Sequence, residues 1–217
     1  LSTGMSTLDD IEAALGVIAF GMTVPEQAPS STAFKRAFSS DTGRAALQNS
    51  VTVLHCTTEY PAAFEEVNLR AMETLRARFD LPVGLSDHSP GIAVATAAVA
   101  LGACVIEKHF TLDRSLPGPD HRASLEPAEL AAMVKSIREV ALAMGNRVKR
   151  PTPAEEKNIM IVRRSLVALR PIAKGERFTL DNIGARRPGN GISPMQLWDW
   201  LDKTAARDFG AGEMLGK

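Results

Sequence analysis

The chain has 217 residues, a length that allows one ordinary domain with a small second one, or two modest domains. Hydrophobic residues make up 45% and charged residues 23%, so apolar burial can offset chain entropy, which excludes a disordered or fibrous protein. The 25 basic residues balance 25 acidic ones, which argues against general binding to nucleic acid or to an acidic membrane.

The cysteine content and the apolar runs exclude two further classes of protein, disulfide-rich and membrane-spanning ones. Cys56 and Cys104 are too few for a disulfide scaffold and lie in apolar, strand-like runs. We therefore expect buried thiols and a reducing, cytoplasmic compartment. The longest apolar run, residues 92–101, is too short to span a membrane, so no membrane partner is expected.

The first 145 residues alternate short β-branched runs with helical patterns. A strand end at residues 1–4 precedes a helix near residues 8–15, for which Thr7 is the expected N-cap. Three further strands are predicted, each followed by a helix: strands 51–56, 83–86 and 104–110, and helices 65–78, 91–101 and 127–144. Strands that alternate with helices predict parallel βαβ units and an α/β fold.

Two α/β architectures compete, a doubly wound sheet and a (β/α)₈ TIM barrel. No G-x-G-x-x-G motif follows a strand, so the dinucleotide-binding fold lacks its usual sign. Polar residues instead cluster where the strands end, at the face on which barrels assemble their chemistry. They are His55, Thr57, Thr58, Ser86, Asp87, His88, Glu107 and His109. The barrel is favoured, and four units make half of one.

The alternation of strands and helices ends after the last of these helices. Residues 147–160 are polar, carry two prolines and indicate a linker or a short capped segment. Residues 161–217 have a strand pattern at 165–169, loop-rich stretches and a short amphipathic helix at 195–201. We predict a partial TIM-barrel domain over 1–146, a linker over 147–160 and a small β-rich domain over 161–217.

Two histidines form the strongest candidate site. His88 and His109 are 21 residues apart, one strand–helix unit, so each would end a neighbouring parallel strand. Such strands lie about 4.8 Å apart, which lets two imidazoles converge on one divalent ion. Asp87 and Glu107 stand beside them. The alternative is that both histidines are hydrogen-bonded structural residues, which is also the favoured interpretation of His55.

Other candidates are less specific. Tyr60 precedes a proline, which favours an extended loop position for packing or for substrate contact. Positive charge at and near the loop 113–124, from Lys108, Arg114, His121 and Arg122, suits an anionic substrate or a solvated loop equally. Arg186 and Arg187 before Pro188 could bind a carboxylate or a sugar, or be merely exposed.

Four segments together resemble the N-acetylneuraminate (sialic acid) synthase family, which includes the legionaminic and pseudaminic acid synthases. They are HCTTEYP (55–61), GLSDHSPGI (84–92), IEKHFTLDRSLPGPDHRASLEP (106–127) and RRPGNGISPM (186–195). The resemblance implies the C-terminal half of a TIM barrel followed by a small antifreeze-like (SAF, β-clip) domain. It also implies condensation of phosphoenolpyruvate with an N-acetylmannosamine-type sugar, which forms a nine-carbon 2-keto acid and releases phosphate.

The resemblance also implies roles for individual residues. His88 and His109 match the ligands of Mn²⁺ or Mg²⁺, and with Glu107 they form the expected catalytic set. Ser2, Ser86 and Glu107 match positions around phosphoenolpyruvate, whereas Thr58 and Tyr60 match the sugar side, where some members have Asn at the position of Thr58. Asp87 is also assigned to substrate binding. Arg187 matches an arginine that reaches the barrel of a partner subunit in a domain-swapped homodimer.

Two alternative functions fit the sequence unequally well. The chain could be a non-catalytic remnant whose SAF domain binds carbohydrate or mediates dimerisation. A metal-dependent hydrolase on a barrel would need further His or Asp ligands at strand ends, which the sequence does not offer.

The sequence contains four barrel units, and the family's first half-barrel supplies further essential groups. We therefore expect this chain to be part of a longer protein and inactive alone. An assay of phosphate release from phosphoenolpyruvate with N-acetylmannosamine and Mn²⁺ checks this, and clear turnover by the purified chain would contradict it.

Overall fold

A computed structural model describes residues 1–216. The chain forms two compact units, Leu1–Asn146 and a second that begins at Arg147. Each unit has its own hydrophobic core, and the two are described separately. Among the described residues, no helix is long and apolar enough to cross a membrane.

The first unit is built on a parallel sheet. Its strands are β1 (Val53–Cys56), β2 (Val83–Asp87) and β3 (Ile106–Lys108), in the order β1-β2-β3. A parallel bridge between Ser2 and Leu54 extends the sheet beyond β1, so the predicted first strand is present as a single bridge. Because the strands are parallel, their carboxyl ends lie at one edge of the sheet.

Helices lie before β1, in the connections between these strands and after β3. They are α1 (Leu8–Thr23), α2 (Ser31–Ser39), α3 (Asp41–Ser50), α4 (Phe64–Val67), α5 (Ala71–Phe79), α6 (Ala93–Ala100) and α7 (Pro127–Met144). The main core joins strand residues such as Val53 and Leu85 to helix residues such as Leu15 and Met72. A smaller cluster around Met133 joins α7 to α6.

The sequence patterns located α7 at its observed bounds but did not predict α2 and α3. Most of their residues are small or polar, but the few apolar ones recur at helical spacing, with Ala33 and Ala37 buried in α2 and Gly43 with Leu47 in α3. Serine caps mark them as well, since the Ser30 and Ser40 hydroxyls accept hydrogen bonds from backbone amides of the first turns.

The expectation of two buried cysteines is wrong. Cys56 is half-buried, Cys104 is exposed, and both are free thiols. Cys104 lies just before β3, the last named strand of the sheet, where no further strand of the sheet covers it. The apolar run around it therefore reflects an edge position rather than the interior.

The second unit is a small β-containing fold. Helix α8 (Pro153–Val162) begins at a capping box between Thr152 and Glu155, and it occupies most of the segment predicted as a linker or short capped segment. Strands β4 (Ser165–Ala168) and β5 (Ile183–Arg186) pair antiparallel. A 3₁₀ turn, Pro194–Gln196, leads into α9 (Leu197–Trp200), at the position of the predicted amphipathic helix. Leu166, Ile172 and Phe178 belong to the hydrophobic core of the second unit.

The sheet is closely packed around Gly84 in β2. A Cβ atom there would lie 2.5 Å from the carbonyl oxygen of Val105 and 2.7 Å from Cδ2 of Leu54. We expect Gly84→Ala to lower the free energy of unfolding by about 1–3 kcal/mol, as overpacking does. Gly21→Ala is the matched control, since nothing lies within 4 Å of its Cβ, and it should stabilise α1 by about 0.5–1 kcal/mol. Denaturation followed by circular dichroism measures both changes, and equal effects would contradict this account.

Glu176 predicts a pH dependence for the second unit. Its carboxylate accepts hydrogen bonds from the Ala173 amide, from Arg170 and from Asn182, and these hold its pKa below the ordinary value. A lowered folded-state pKa adds stability that is present above the unfolded-state pKa and is lost as the pH falls through the folded-state pKa. Glu176→Gln should therefore lower Tm at pH 7, and this difference should shrink at acidic pH below about 4.

Tryptophan fluorescence can follow this transition selectively, because both tryptophans, Trp198 and Trp200, lie in the second unit. Glu139→Gln, on the exposed surface of α7, controls for the loss of one surface carboxylate. A Tm difference between the Glu176 variant and wild type that persists at low pH would show that charge is not the cause.

Candidate active site

Three aromatic rings meet at the carboxyl end of the sheet. His88 follows β2 and His109 follows β3, and their ring centroids are 5.2 Å apart. The ring of Tyr60, in the loop after β1, lies 4.2 Å from His88 and 5.3 Å from His109. The structure thus brings together the two histidines expected at neighbouring strand ends, and adds the tyrosine to them.

The backbone fixes the orientation of His88. Its Nδ1 lies 2.7 Å from the carbonyl oxygen of Thr57, and a carbonyl can only accept, so Nδ1 carries the hydrogen. Nε2 is then the nitrogen with the free lone pair, the arrangement that metal-binding histidines use. The Ala62 amide donates to the His88 carbonyl, which anchors the main chain of a residue whose side chain is largely buried.

His109 faces a carboxylate that the sequence analysis missed. Its Nδ1 is 3.9 Å from Oδ2 of Asp120. Asp120 lies just before a 3₁₀ turn, His121–Ala123, within the positively charged loop 113–124. The spacing of 11 residues crosses an irregular loop, so no periodic signal connected Asp120 with His109.

Local hydrogen bonds hold this loop in place. The Ser124 hydroxyl donates to the Asp120 carbonyl at 2.7 Å, and Thr111 Oγ1 lies 2.8 Å from Nδ1 of His121. Arg114 pairs with Glu129 of α7, and this hydrogen bond raises the pKa of Arg114 and lowers that of Glu129. Arg114 therefore anchors the loop to α7, while Arg122, in the 3₁₀ turn, is exposed.

Ser86 and Glu107 lie side by side below the histidines. They are register partners in β2 and β3, and the Ser86 hydroxyl donates to Oε1 of Glu107 at 2.7 Å. Ser86 is buried, whereas Glu107 is exposed. The buried Ser86 hydroxyl thus holds one oxygen of the Glu107 carboxylate, while the carboxylate as a whole stays accessible.

Asp87 does not face the histidine side of the sheet. Side chains alternate along a strand, and Asp87 shares its face with Leu85, which packs against the helices. Its Oδ2 lies 2.8 Å from Nζ of Lys108, and the two side chains are 1% and 2% exposed. The expectation that Asp87 binds substrate, and that Lys108 adds open positive charge, is corrected by this burial.

The remaining candidates are dispersed. His55 Nε2 lies 2.6 Å from the Val67 carbonyl oxygen, which fits its structural interpretation. Ser2 is exposed at its bridge to Leu54, and Thr58 is exposed after β1. Arg187 belongs to the second unit, where it is exposed after β5 and its Nε donates to the Val162 carbonyl at 3.0 Å.

The donor set suits a partly protein-bound metal. Within residues 1–216, no group of three His, Cys, Asp or Glu side chains is arranged to hold an ion. Two converging imidazoles, one with a defined free nitrogen, fit two positions of an open site whose other ligands are water or substrate oxygens.

Tyr60 carries a hydroxyl that stays protonated. Partial burial raises the pKa of the Tyr60 phenol above its ordinary value, and the nearby Cys56, Asp120 and Glu107 raise it further by smaller amounts. The hydroxyl is therefore a hydrogen-bond donor at neutral pH, beside two histidines that can bind a metal.

Comparison with protein families agrees with this arrangement. The model of the NeuB family matches residues 1–149, and that of the SAF domain matches residues 163–217. The chain belongs to the NeuB family. The resemblance to sialic acid synthases inferred from the four sequence segments is thereby confirmed.

Individual relatives are named as synthases of sialic-acid-type sugars. N,N'-diacetyllegionaminic acid synthase from Campylobacter jejuni is 47% identical over 99% of this chain and 58% of its own length. Human N-acetylneuraminate-9-phosphate synthase is 46% identical over 69% of this chain and 42% of its own length. The chain thus spans about half the length of the curated relatives that it matches.

A solved structure supports the same assignment. The N-acetylneuraminic acid (sialic acid) synthetase from Leptospira borgpetersenii, determined in complex with citrate, aligns with a TM-score of 0.55 and 33% identity. The alignment covers 73% of this chain and 47% of the other. The α/β fold therefore has a sialic acid synthase as a structural neighbour.

Proposed function

We propose that this NeuB-family chain forms the C-terminal half of a (β/α)₈ barrel and the SAF domain of a sialic-acid-type synthase. The complete enzyme would condense phosphoenolpyruvate with an N-acetylated amino sugar and release phosphate. The observation that carries the proposal is the pairing of His88 and His109 at neighbouring strand ends, beside Tyr60 and an accessible Glu107. The names of the relatives supply the reaction class.

A half-barrel fits the sheet of the first unit. The three parallel strands follow one another in sequential order, with helices in the connections between them. This arrangement repeats the strand–helix unit of a barrel. The polar site lies at the carboxyl ends, where barrel enzymes place their chemistry. The second unit would be the antifreeze-like, β-clip part of the enzyme.

His88 and His109 are the residues that would hold Mn²⁺ or Mg²⁺. When bound, such an ion supplies Lewis-acid polarisation of a carbonyl oxygen and a template for water. The hydrogen bond from Nδ1 of His88 to the Thr57 carbonyl keeps Nε2 directed for this purpose. Asp120, beside Nδ1 of His109, is placed to favour a hydrogen on that nitrogen.

Glu107, Ser86 and Tyr60 handle protons and hydroxyl groups around the reacting carbons. Oε1 of Glu107 accepts from Ser86, which orients the carboxylate and leaves Oε2 to take a proton from a water or a sugar hydroxyl. The phenol of Tyr60, with its raised pKa, donates a hydrogen bond to a substrate oxygen. Ser2 and Thr58 are exposed in segments that lead to the same end of the sheet and would complete the substrate contacts.

The acceptor is proposed as a class, an N-acetylated amino sugar of the N-acetylmannosamine type. A relative named for legionaminic acid matches 99% of this chain at 47% identity, and one named for N-acetylneuraminate 9-phosphate matches 69% at 46%. Arg187 would bind the sugar in the barrel of a second copy, in a domain-swapped homodimer. Its exposure on the second unit is compatible with that role. A cytoplasmic location remains a prediction.

The central test removes each metal-binding imidazole from the complete enzyme. His88→Ala and His109→Ala should each abolish Mn²⁺-dependent phosphate release and weaken Mn²⁺ binding by at least tenfold, because each removes one of two protein ligands. Titration of Mn²⁺ followed by electron paramagnetic resonance measures the binding directly.

His55→Gln is the matched control, because Gln retains a donor for the Val67 carbonyl and should leave Mn²⁺ affinity unchanged. Full Mn²⁺ binding by both alanine variants would refute the metal site. A complete protein that binds amino sugars without any turnover would instead favour the non-catalytic carbohydrate-binding alternative.

A further inference from the structure

We propose that the buried ion pair between Asp87 and Lys108 is a positioning device that sets the separation and orientation of His88 and His109. The inference rests on the proposed function, since it assigns these two residues to the support of the metal-binding histidines. Neither residue touches the substrate side of the sheet.

The register of the strands makes this pair specific to the site. Asp87 and Lys108 are direct partners across β2 and β3. Asp87 immediately precedes His88, and Lys108 immediately precedes His109. A link of 2.8 Å between Nζ and Oδ2 therefore ties together the two strand ends at the last residue before each histidine.

The same network also holds the residue that follows His88. Oδ1 of Asp87 accepts from the Ser89 amide at 2.9 Å and from the Ser89 hydroxyl at 2.6 Å. Lys108 Nζ donates to the Ser89 carbonyl. Both peptide neighbours of His88 are thus bound to one cation, and Ser89 is fully buried, so the backbone on either side of His88 is held.

Stability alone is a weak reason for such a pair. Removing two charges from water opposes their attraction, and apolar residues of similar size often stabilise a core as well or better. The pair lies beside apolar core residues such as Leu85 and Ile106, where an apolar substitute would have neighbours to pack against. Its position directly before both histidines gives it a role that apolar packing lacks, because directional bonds fix geometry.

The test measures Mn²⁺ affinity in the complete enzyme by electron paramagnetic resonance, at a temperature where circular dichroism shows each variant folded. Lys108→Met should weaken Mn²⁺ binding by roughly 10- to 100-fold, the usual effect of losing a residue that orients a metal ligand. Lys108→Arg retains the cation and should restore affinity to within about threefold of wild type, since Arg also pairs with carboxylates.

Lys108→Met leaves a buried carboxylate without its partner and could prevent folding. The double variant Asp87→Asn/Lys108→Met removes both charges while the Asn carbonyl can still accept from Ser89, and it should show the same loss of affinity. Leu15→Ala controls for lost stability, because it opens a cavity in the core away from the histidines and should leave Mn²⁺ affinity unchanged.

The outcomes separate the two proposals. If His88→Ala and His109→Ala lose Mn²⁺ but folded Lys108→Met and the folded double variant bind it as wild type does, the positioning role is refuted and the metal site stands. If Leu15→Ala loses affinity to the same extent, the effect is one of stability and the positioning role is again refuted. If wild type binds no Mn²⁺, the proposed function fails and this inference fails with it.

Discussion

The parallel register of β2 with β3 is the constraint on which the candidate site depends. It aligns Ser86 with Glu107 and Asp87 with Lys108, so the histidines that follow the two strands emerge side by side. A slip of one residue would turn every side chain to the opposite face. The hydroxyl and the carboxylate would then point into the helices, and the ion pair would point to the side of the sheet that carries the histidines. Close packing around Gly84, against Val105 of the segment before β3, opposes such a slip.

Because side chains alternate along a strand, the two faces of the sheet carry different sets of side chains. One face carries Ser86, Glu107 and, beyond the strand ends, the rings of the two histidines with Tyr60. The opposite face packs against the helices and buries the pair of Asp87 and Lys108. Charge on that face costs free energy unless it is satisfied by directional bonds, and here every bond of the pair leads to Ser89 or to the partner. In the proposed synthase, the buried face would thus supply rigidity to the face that carries the histidines.

Local pattern was enough to predict the paired histidines and α7, but not the features that depend on distant contacts. A strand followed by His at a fixed interval is a local signal, and so is Pro127 at the start of a long periodic helix. Helices α2 and α3 escaped prediction because most of their residues are small or polar, although their few apolar side chains recur at helical spacing. Asp120 reaches His109 through an irregular loop whose shape depends on Thr111, Ser124 and α7. The burial of Lys108 followed from strand alternation, yet residue type alone indicated an exposed cation.

Charge balance shows where affinity for an anionic substrate can arise. With 25 basic and 25 acidic residues, the chain has no net field to attract an anion, so attraction must come from local groups. Two of the nearby cations are already compensated, since Lys108 is paired with Asp87 and Arg114 with Glu129. Glu107 and Asp120 add negative charge close to the histidines, which opposes a second anion. A divalent ion held by His88 and His109 would offset the charge of these two carboxylates, and so in the proposed synthase metal binding would remove their opposition to an anionic substrate.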